Sequence, residues 1–414
     1  MEQKKYRALL SQKQYLKLLF ADLTSRFGDS LDAVAYSWIM YEVTGSESLM
    51  ALILGLNYIP TVLLQPFSGA LVDRINKKAL MAVTDLLRSV LVALFVVLYG
   101  KGVLSPRIIA VLTLCTSTVE AFRLPAGNAV MPLLLEPQHY TLGKAASYSL
   151  SRVSQLVGFA LSGALIALIG AIGVLWIDAV TFLISAAAIA GIRLSEARTP
   201  EKMDTRRFFS DFRDGLQFLK KSKVVQIISM IGLVINFGLM PLSVFQAPYV
   251  SDYLHMGPGI LSYIKVLMIV GMMLGAAVTP KLLIFKKSGI SAAAGIGMGI
   301  SIILMYATVI VGNPVIRMTL LTVSMLCVGA GGGALNVTIG GCMMAAVPKE
   351  MMGRMSGLNG AIMEASMPVG SFLCSALVLK VSVVQLFALF GTCTIIFYSA
   401  MFVTQHLSKL DSLM

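Results

Sequence analysis

Apolar residues occur in long runs from one end of the 414-residue chain to the other, and short polar or Pro/Gly-containing stretches separate these runs. An α-helix needs about 20 consecutive apolar residues to cross a bilayer. The runs therefore predict an all-α integral membrane protein with twelve transmembrane helices. The predicted spans are 16–43, 48–71, 79–100, 107–133, 145–170, 172–193, 224–250, 258–284, 290–311, 316–346, 353–379 and 383–406.

One polar connection is longer than the others, and it follows the sixth span. It predicts two six-helix bundles, residues 1–193 and 224–414, joined by a linker at 194–223. Apolar side chains of the linker share one face of a helical wheel, which is typical of an interfacial amphipathic helix on the inner leaflet. These apolar positions are Phe208, Phe209, Phe212, Leu216 and Leu219. The alternative is a flexible linker whose periodicity arises by chance.

The composition indicates a lipid environment. Hydrophobic residues make up 57% of the chain and charged residues 13%, and the mean hydropathy is +0.84. Soluble domains carry roughly 25% charged residues, so this chain has about half of what a water-exposed surface requires. The five cysteines lie in apolar runs without a C-x-x-C pair, which favours packing over metal binding or disulfides. The N-terminal segment lacks a small-residue cleavage site, so we expect no cleaved signal peptide.

The net charge of +13 follows membrane topology. With the N-terminus placed in the cytosol, 24 of the 33 basic residues fall on the inner side, and only Lys101, Arg107, Arg317 and Lys380 fall in outside loops. This asymmetry predicts that both termini are cytosolic. It accounts for the positive charge without a nucleic-acid partner, and we expect none.

A motif follows the second span, GALVDRINKKAL from Gly69. It resembles the major facilitator superfamily signature G-x-L-x-D-R-x-G-R-K, matched here by Gly69, Leu71, Asp73, Arg74 and Lys78. The resemblance implies a charged latch that closes the cytosolic side between the two halves, whereas the alternative is an ordinary basic loop. Asn76 replaces the signature's glycine, and we expect a left-handed backbone there, which asparagine tolerates. The second-half counterpart, TPKLLIFKKSG, lacks the Asp-Arg pair, so the latch is one-sided.

The resemblance covers essentially the whole chain. Four stretches are similar to the superfamily branch of macrolide-efflux proteins and the enterobactin exporter: NAVMPLLLEPQHYTLGKAASYSLSRVSQL, WIDAVTFLISA, FSDFRDGLQFLKKSK and AAVPKEMMGRMSGL. It implies a monomer in the bacterial plasma membrane, without a cofactor, that exports amphipathic small molecules by proton-coupled alternating access. The chain departs from the antiporter signature G-x-x-x-G-P, of which it has only Gly158-Phe-Ala-Leu-Ser-Gly163, without the proline.

Twelve ionisable residues lie within the predicted spans, ten of them in the first six. A charge at the bilayer centre costs about 2.5–3.5 kcal/mol on insertion scales, so such residues face a cavity or one another. Asp32 has no cation within reach on its own helix, and a carboxyl group in a low-dielectric environment takes up a proton readily. The candidate proton-coupling residues are Asp32, Asp29, Glu120 and Glu364.

Six further charges predict a cytosolic gate of ion pairs together with the latch. They are Asp22, Arg26, Asp85, Arg88, Arg123 and Arg152. Spacing of three or four residues lets Asp22 meet Arg26, Asp85 meet Arg88, and Glu120 meet Arg123, each pair on one helix. Arg26 can instead neutralise Asp29 on the same helix. The alternative is that these ion pairs are static and serve only to allow close packing of the helices.

Methionine is concentrated in the second half of the chain, where ionisable residues within spans are few, and 19 of 25 methionines lie after residue 210. Flexible thioethers suit a surface that accepts varied apolar ligands, although methionine is also a common packing residue. The candidate substrate contacts are Tyr36, Asn57, Asn236, Gln246, Asn336 and Met363.

Enzymatic chemistry has little support in the sequence. The glycine-rich stretch GAGGGALN lies inside a predicted span without a following Lys-Ser/Thr, so helix packing explains it better than phosphate binding. The three histidines are dispersed, and we expect neither a metal site nor a catalytic residue. Three functions stay open: a multidrug exporter, a dedicated exporter or flippase for a siderophore or lysophospholipid, and a non-transporting membrane sensor or scaffold.

Overall fold

The computed structural model describes residues 9–72, 75–194, 213, 215–282, 284–348 and 351–413, and every regular element in these ranges is helical. The helices are α1 (Lys13–Thr44), α2 (Glu47–Val72), α3 (Lys77–Gly100), α4 (Pro106–Leu134), α5 (Tyr140–Ala190), α6 (Lys223–Gly238), α7 (Met240–Val244), α8 (Gly259–Leu282), α9 (Lys287–Ile310), α10 (Pro314–Ala346), α11 (Met352–Leu377) and α12 (Val383–Val403). Short helical turns lie at Pro137–His139, Gln246–Pro248, Tyr249–Tyr253 and Leu407–Leu413.

The twelve-span, all-α architecture is confirmed, although spans and helices do not correspond one to one. Nine helices of the described chain are long and apolar enough to cross a membrane. One of the nine is the segment Pro137–Ala190, which includes α5. The 51-residue helix α5 is bent at Gly170 and covers two predicted spans. The charges of α1 lower its hydropathy, and α6 has only 16 residues, yet both lie at predicted spans. The span predicted at 224–250 is broken, because α6 ends at Gly238, and the five-residue helix α7 and short helical turns follow.

The bend in α5 depends on a glycine. Gly170 has φ 73° and ψ 166°, a backbone conformation that only glycine adopts without strain. The alanine substitution Gly170→Ala is therefore expected to destabilise the protein by about 1–3 kcal/mol, measured as a lower midpoint of thermal unfolding in detergent. Gly297→Ala in α9 is the matched control, because Gly297 is helical and an added Cβ meets open space. Equal unfolding midpoints for the two variants would show that the backbone conformation at Gly170 tolerates a side chain without strain.

Polar residues between the apolar runs cap the N-termini of several helices. Ser105, Asn313 and Ser382 each accept a hydrogen bond from a backbone N–H in the first turn of the helix that follows. Asn76 does the same for α3, since its Oδ1 accepts from the Ala79 N–H at 2.8 Å. The left-handed backbone expected at Asn76 was wrong: φ is −59°, because the residue is a helix cap.

The chain divides into two compact units. The first contains residues 1–45 and 56–203, and the second contains residues 46–55 and 204–414. In the first unit α1 packs most extensively against α5, around a core that includes Tyr15, Leu18 and Ile189. The core of the second unit includes Ile228, Leu335 and Tyr398. The predicted bounds of the two bundles and their linker stay a prediction.

Two serines of α11 hold the start of α2 within the second unit. The Ser371 hydroxyl donates to the Ala51 carbonyl at 2.6 Å, and the Ser375 hydroxyl donates to the Ser48 carbonyl at 2.9 Å. The predicted interfacial helix lies mostly outside the described residues. Of its apolar face, Leu216 and Leu219 pack against the core of the second unit.

Candidate functional site

A charged cavity of about 360 Å³ lies within the first unit, between α1, α3, α4 and α5. The charged residues that line it are Asp22, Arg26, Asp29, Arg88, Glu120, Arg123, Lys144 and Arg152. The other lining residues include Ser147, Tyr148, Ser151 and Gln155 of α5. The structure thus brings five of the six predicted gate residues to one cavity, and the sixth, Asp85, is completely buried next to it.

Arg123 holds two carboxylates at the cavity wall. Its Nε lies 2.8 Å from Asp85 Oδ1, and its Nη2 lies 2.9 Å from Asp22 Oδ1. The second oxygen of Asp85 accepts a hydrogen bond from the Ser185 hydroxyl at 2.6 Å. Because Asp85 is inaccessible and Arg123 is 9% exposed, this group is a buried ion-pair network that joins α1, α3, α4 and α5.

Arg88 neutralises a third carboxylate. Its Nη2 lies 2.7 Å from Asp29 Oδ1, and its guanidinium lies 4.2 Å from the centroid of the Phe182 ring. Arg26 approaches the other oxygen of Asp29 only to 3.8 Å, and 43% of its side chain is exposed. Arg88 is therefore the principal partner of Asp29, and Arg26 contributes little to that pair.

Most of the predicted pairing within single helices was wrong, although Arg26 does approach Asp29, one of its two expected partners, to 3.8 Å. Asp85 pairs with Arg123 rather than Arg88, Asp22 pairs with Arg123 rather than Arg26, and Glu120 has no ion pair within the described chain. Spacing along a helix shows which side chains share a face, but that face is turned toward neighbouring helices. Buried side chains then meet partners across the helix interface.

Two further carboxylates lie outside the cavity lining, the half-buried Asp32 on α1 and the buried Asp178 on α5. Asp32 Oδ1 and Asp178 Oδ2 are buried and have no hydrogen-bond partner in the described part of the chain. The two side chains interact electrostatically with each other, and both also interact with Asp29 and Arg88. Asp178 was absent from the predicted proton-coupling set. Its charge inside a predicted span was a signal, but its proximity to Asp32 is not visible in the sequence.

Gly28 allows α1 to approach Asp178 closely. A Cβ atom at this position would overlap Asp178 Oδ1 and Thr181 Oγ1. Thr181 in turn donates a hydrogen bond from its hydroxyl to the Asp178 carbonyl at 2.7 Å. The glycine therefore lets the α1 backbone approach the turn of α5 that carries Asp178.

The two remaining proton-coupling candidates lie in different units. Glu120 lines the cavity of the first unit and interacts electrostatically with Arg88. Glu364 is half-buried in α11 of the second unit, and its Oε2 has no hydrogen-bond partner among the described residues. Asp29, Asp32 and Glu120 thus belong to one cluster, and Glu364 is separate from it.

The predicted substrate contacts are divided between the two units, with Tyr36 and Asn57 in the first and the other four in the second. Asn236 donates from Nδ2 to the Met363 carbonyl at 3.0 Å, so these two residues meet between α6 and α11. Tyr36, in the first unit, is hydrogen-bonded to Thr113 at 2.6 Å and packs against the Phe95 ring. The other three differ in exposure: Gln246 is buried, Asn57 is half-buried in α2, and Asn336 is exposed on α10.

Only part of the predicted latch lies in the described chain. Gly69 falls in α2, and Lys78 is half-buried in the first turn of α3. Asp73 and Arg74 lie outside the described residues, so the latch stays a prediction. Within the described residues, no group of three or more His, Cys, Asp or Glu side chains is arranged to hold a metal ion.

Comparisons with known proteins agree on the family. The model of the Major Facilitator Superfamily matches residues 18–371. The multidrug efflux pump Tap of Mycolicibacterium fortuitum is 25% identical over 372 residues, which cover 87% of this chain and 88% of that protein. Macrolide efflux protein A of Streptococcus pyogenes is 23% identical over 382 residues, with 91% and 92% covered.

Solved structures share the fold at low identity. The nucleoside transporter NupG has a TM-score of 0.72 at 14% identity, and the match covers 94% of this chain and 98% of that protein. A bacterial homologue of the iron transporter ferroportin has a TM-score of 0.74 at 14% identity, with 95% and 98% covered. These similarities concern the architecture alone.

Proposed function

Because the chain belongs to the major facilitator superfamily, we propose that it exports amphipathic small molecules across the cell membrane in exchange for protons, by alternating access. Two of its relatives are named a multidrug efflux pump and a macrolide efflux protein, which supports export of drug-like compounds. The basic residues of the loops support cytosolic termini. The transporter would work as a monomer in the plasma membrane.

Proton coupling is supported by Asp32 and Asp178, which interact electrostatically and each have a buried oxygen without a hydrogen-bond partner in the described chain. Among the described residues, the cation that both interact with is Arg88, which is already paired with Asp29 at 2.7 Å. Carboxylates that share one cation in a low-dielectric site repel each other, and a proton bound by the pair removes that repulsion. Proton binding at this site therefore changes the charge inside the first unit, and such a change biases an equilibrium between two conformations.

The cavity and its ion pairs supply the gate in this proposal. Arg123 and Arg88 each join two or more helices through short contacts. Because breaking these contacts costs free energy, the gate has discrete closed and open conformations rather than opening gradually. The latch at Asp73 and Arg74 would close the cytosolic side between the halves. Glu364 is a candidate second proton site in the other half.

The substrate contacts in this proposal lie on both units. Asn236 and Met363 meet within the second unit, where Met363 also packs against Gly232 and accepts from Asn359 Nδ2 at 3.3 Å. A methionine placed among amide groups offers a deformable apolar surface beside fixed polar groups, as varied ligands require.

Accumulation of labelled amphipathic drugs in cells tests this function. Cells that produce the protein are expected to hold less drug than cells without it, and collapse of the proton gradient should remove the difference. A panel of chemically unrelated compounds that compete with one another supports a multidrug exporter. Strong preference for one siderophore or one lysophospholipid would replace it with a dedicated exporter or flippase. Absence of flux for every compound in proteoliposomes would favour a sensor or scaffold.

A further inference from the structure

One wall of the cavity is a polar stripe along α5. Six of its residues line the cavity at intervals of three, one, three, one and three positions, which places them on one helical face. They are Lys144, Ser147, Tyr148, Ser151, Arg152 and Gln155. The stripe contains two cations and no carboxylate.

The carboxylates that line the cavity are engaged elsewhere. Asp22 pairs with Arg123, and Asp29 pairs with Arg88. The third, Glu120, interacts electrostatically with Arg88. The acidic cavity residues therefore neutralise the arginines of α3 and α4, not the cations of α5.

Three carboxylates outside the cavity lining act on the same two arginines. Asp85 pairs with Arg123, and Asp32 and Asp178 both interact with Arg88.

Arg152 is held by neutral groups. Its Nη1 donates to Gln155 Oε1 at 2.9 Å, and its guanidinium lies 5.1 Å from the centroid of the Tyr148 ring. Lys144, two turns away and exposed, has no ion pair in the described part of the chain. The side chain of Arg26 is 43% exposed, and its nearest carboxylate oxygen is 3.8 Å away. Three cations thus surround the cavity without a short carboxylate contact in the described chain.

We propose that this cavity binds the anionic group, a carboxylate or a phosphate, of an amphipathic ligand. Arg152 and Lys144 are the direct partners, because a guanidinium fork matches both anions and an ammonium supplies a further charge. Ser151 adds a hydroxyl donor on the same face, and the Tyr148 ring offers a surface for the apolar part of the ligand. A volume of about 360 Å³ accommodates a small head group or a compact organic acid.

The inference rests on the proposed function only in taking a small amphipathic molecule or a lipid as the occupant. The anion has two possible sources: a carboxylate ligand that enters from water, and the phosphate of a membrane lipid. Binding is measured rather than transport, so failure of this inference and failure of the proposed function are distinguishable.

The test uses the purified full-length protein in a neutral maltoside detergent, titrated by microscale thermophoresis. One arm compares dodecanoate with its uncharged methyl ester, and the other compares phosphatidic acid with a diacylglycerol of the same chains. The double variant Arg152→Gln, Lys144→Gln removes both cations, and each replacement keeps a polar side chain. Lys101→Gln is the matched control, because Lys101 is exposed at the end of α3, away from the cavity lining.

The parent is expected to bind the anionic member of at least one pair more tightly than its uncharged partner. The double variant should lose about tenfold in that affinity, and Lys101→Gln should keep it. A preference for dodecanoate alone identifies a carboxylate ligand, and a preference for phosphatidic acid identifies a lipid phosphate. Equal binding of charged and uncharged probes by the parent, or parent-like affinity in the double variant, would overturn the proposal.

Discussion

The substitution Asp32→Asn is expected to abolish efflux driven by a pH gradient, while the protein still folds and inserts. Asparagine has nearly the same shape but binds no proton, and Asp32 Oδ1 has no hydrogen-bond partner in the described chain that the change would disrupt. The variant should still exchange labelled drug down its own concentration gradient, since only the coupling is lost. Both fluxes are measured in proteoliposomes with and without an imposed pH gradient.

Asp178→Asn should reduce the gradient-driven flux as well, because the Asp178 carboxylate interacts electrostatically with Asp32. Glu42→Gln is the control. Glu42 is an exposed carboxylate of α1, and its Oε2 accepts a hydrogen bond from the Tyr99 hydroxyl at 3.1 Å. If Asp32→Asn and the parent show equal gradient-driven efflux, Asp32 has no part in coupling, and Asp29 and Glu364 become the residues to test.

The substitution Arg123→Ala is expected to destabilise the protein by about 3–5 kcal/mol, the usual effect of removing one partner from a buried ion pair. It leaves Asp85 completely buried without its cation, and it releases Asp22 as well. The result would be a lower yield and a lower midpoint of thermal unfolding in detergent.

A double substitution separates charge imbalance from lost packing. Arg123→Gln combined with Asp85→Asn replaces the ion pair with neutral groups that still form hydrogen bonds, so it should recover part of the stability lost in Arg123→Gln alone. Arg107→Ala serves as the control, because Arg107 is exposed at the start of α4. An Arg123→Ala variant that unfolds at the parent's temperature would show that the network does not stabilise the first unit.

The architecture was largely predictable because hydrophobic length is a local property of the chain. The predicted span 79–100 corresponds to α3 at Lys77–Gly100, and 383–406 corresponds to α12 at Val383–Val403. Where a helix is broken or bent, local hydropathy was insufficient. The break after Gly238 lies within a continuous apolar run, and the bend at Gly170 requires a backbone conformation that hydropathy does not encode.

The members of the charged site were predictable, but their partners were not. A charge within an apolar span is conspicuous in sequence, and this signal indicated Asp22, Asp85 and Arg123. Which carboxylate meets which guanidinium depends on how α1, α3, α4 and α5 are rotated against one another. The pairing of Asp32 with Asp178 depends in the same way on close packing at Gly28, which no spacing along the chain reveals.

The most direct test of proton-coupled export uses inverted membrane vesicles whose lumen is acidified by respiration and followed with a pH-sensitive dye. Added substrate enters the lumen through the exporter, and each transport cycle carries protons out. If export is coupled to protons, substrate should raise the luminal pH in vesicles containing the parent protein, beyond its effect in vesicles without the protein or with Asp32→Asn. Equal pH changes in all three preparations, with substrate still accumulating in the parent vesicles, would contradict proton exchange as the energy source.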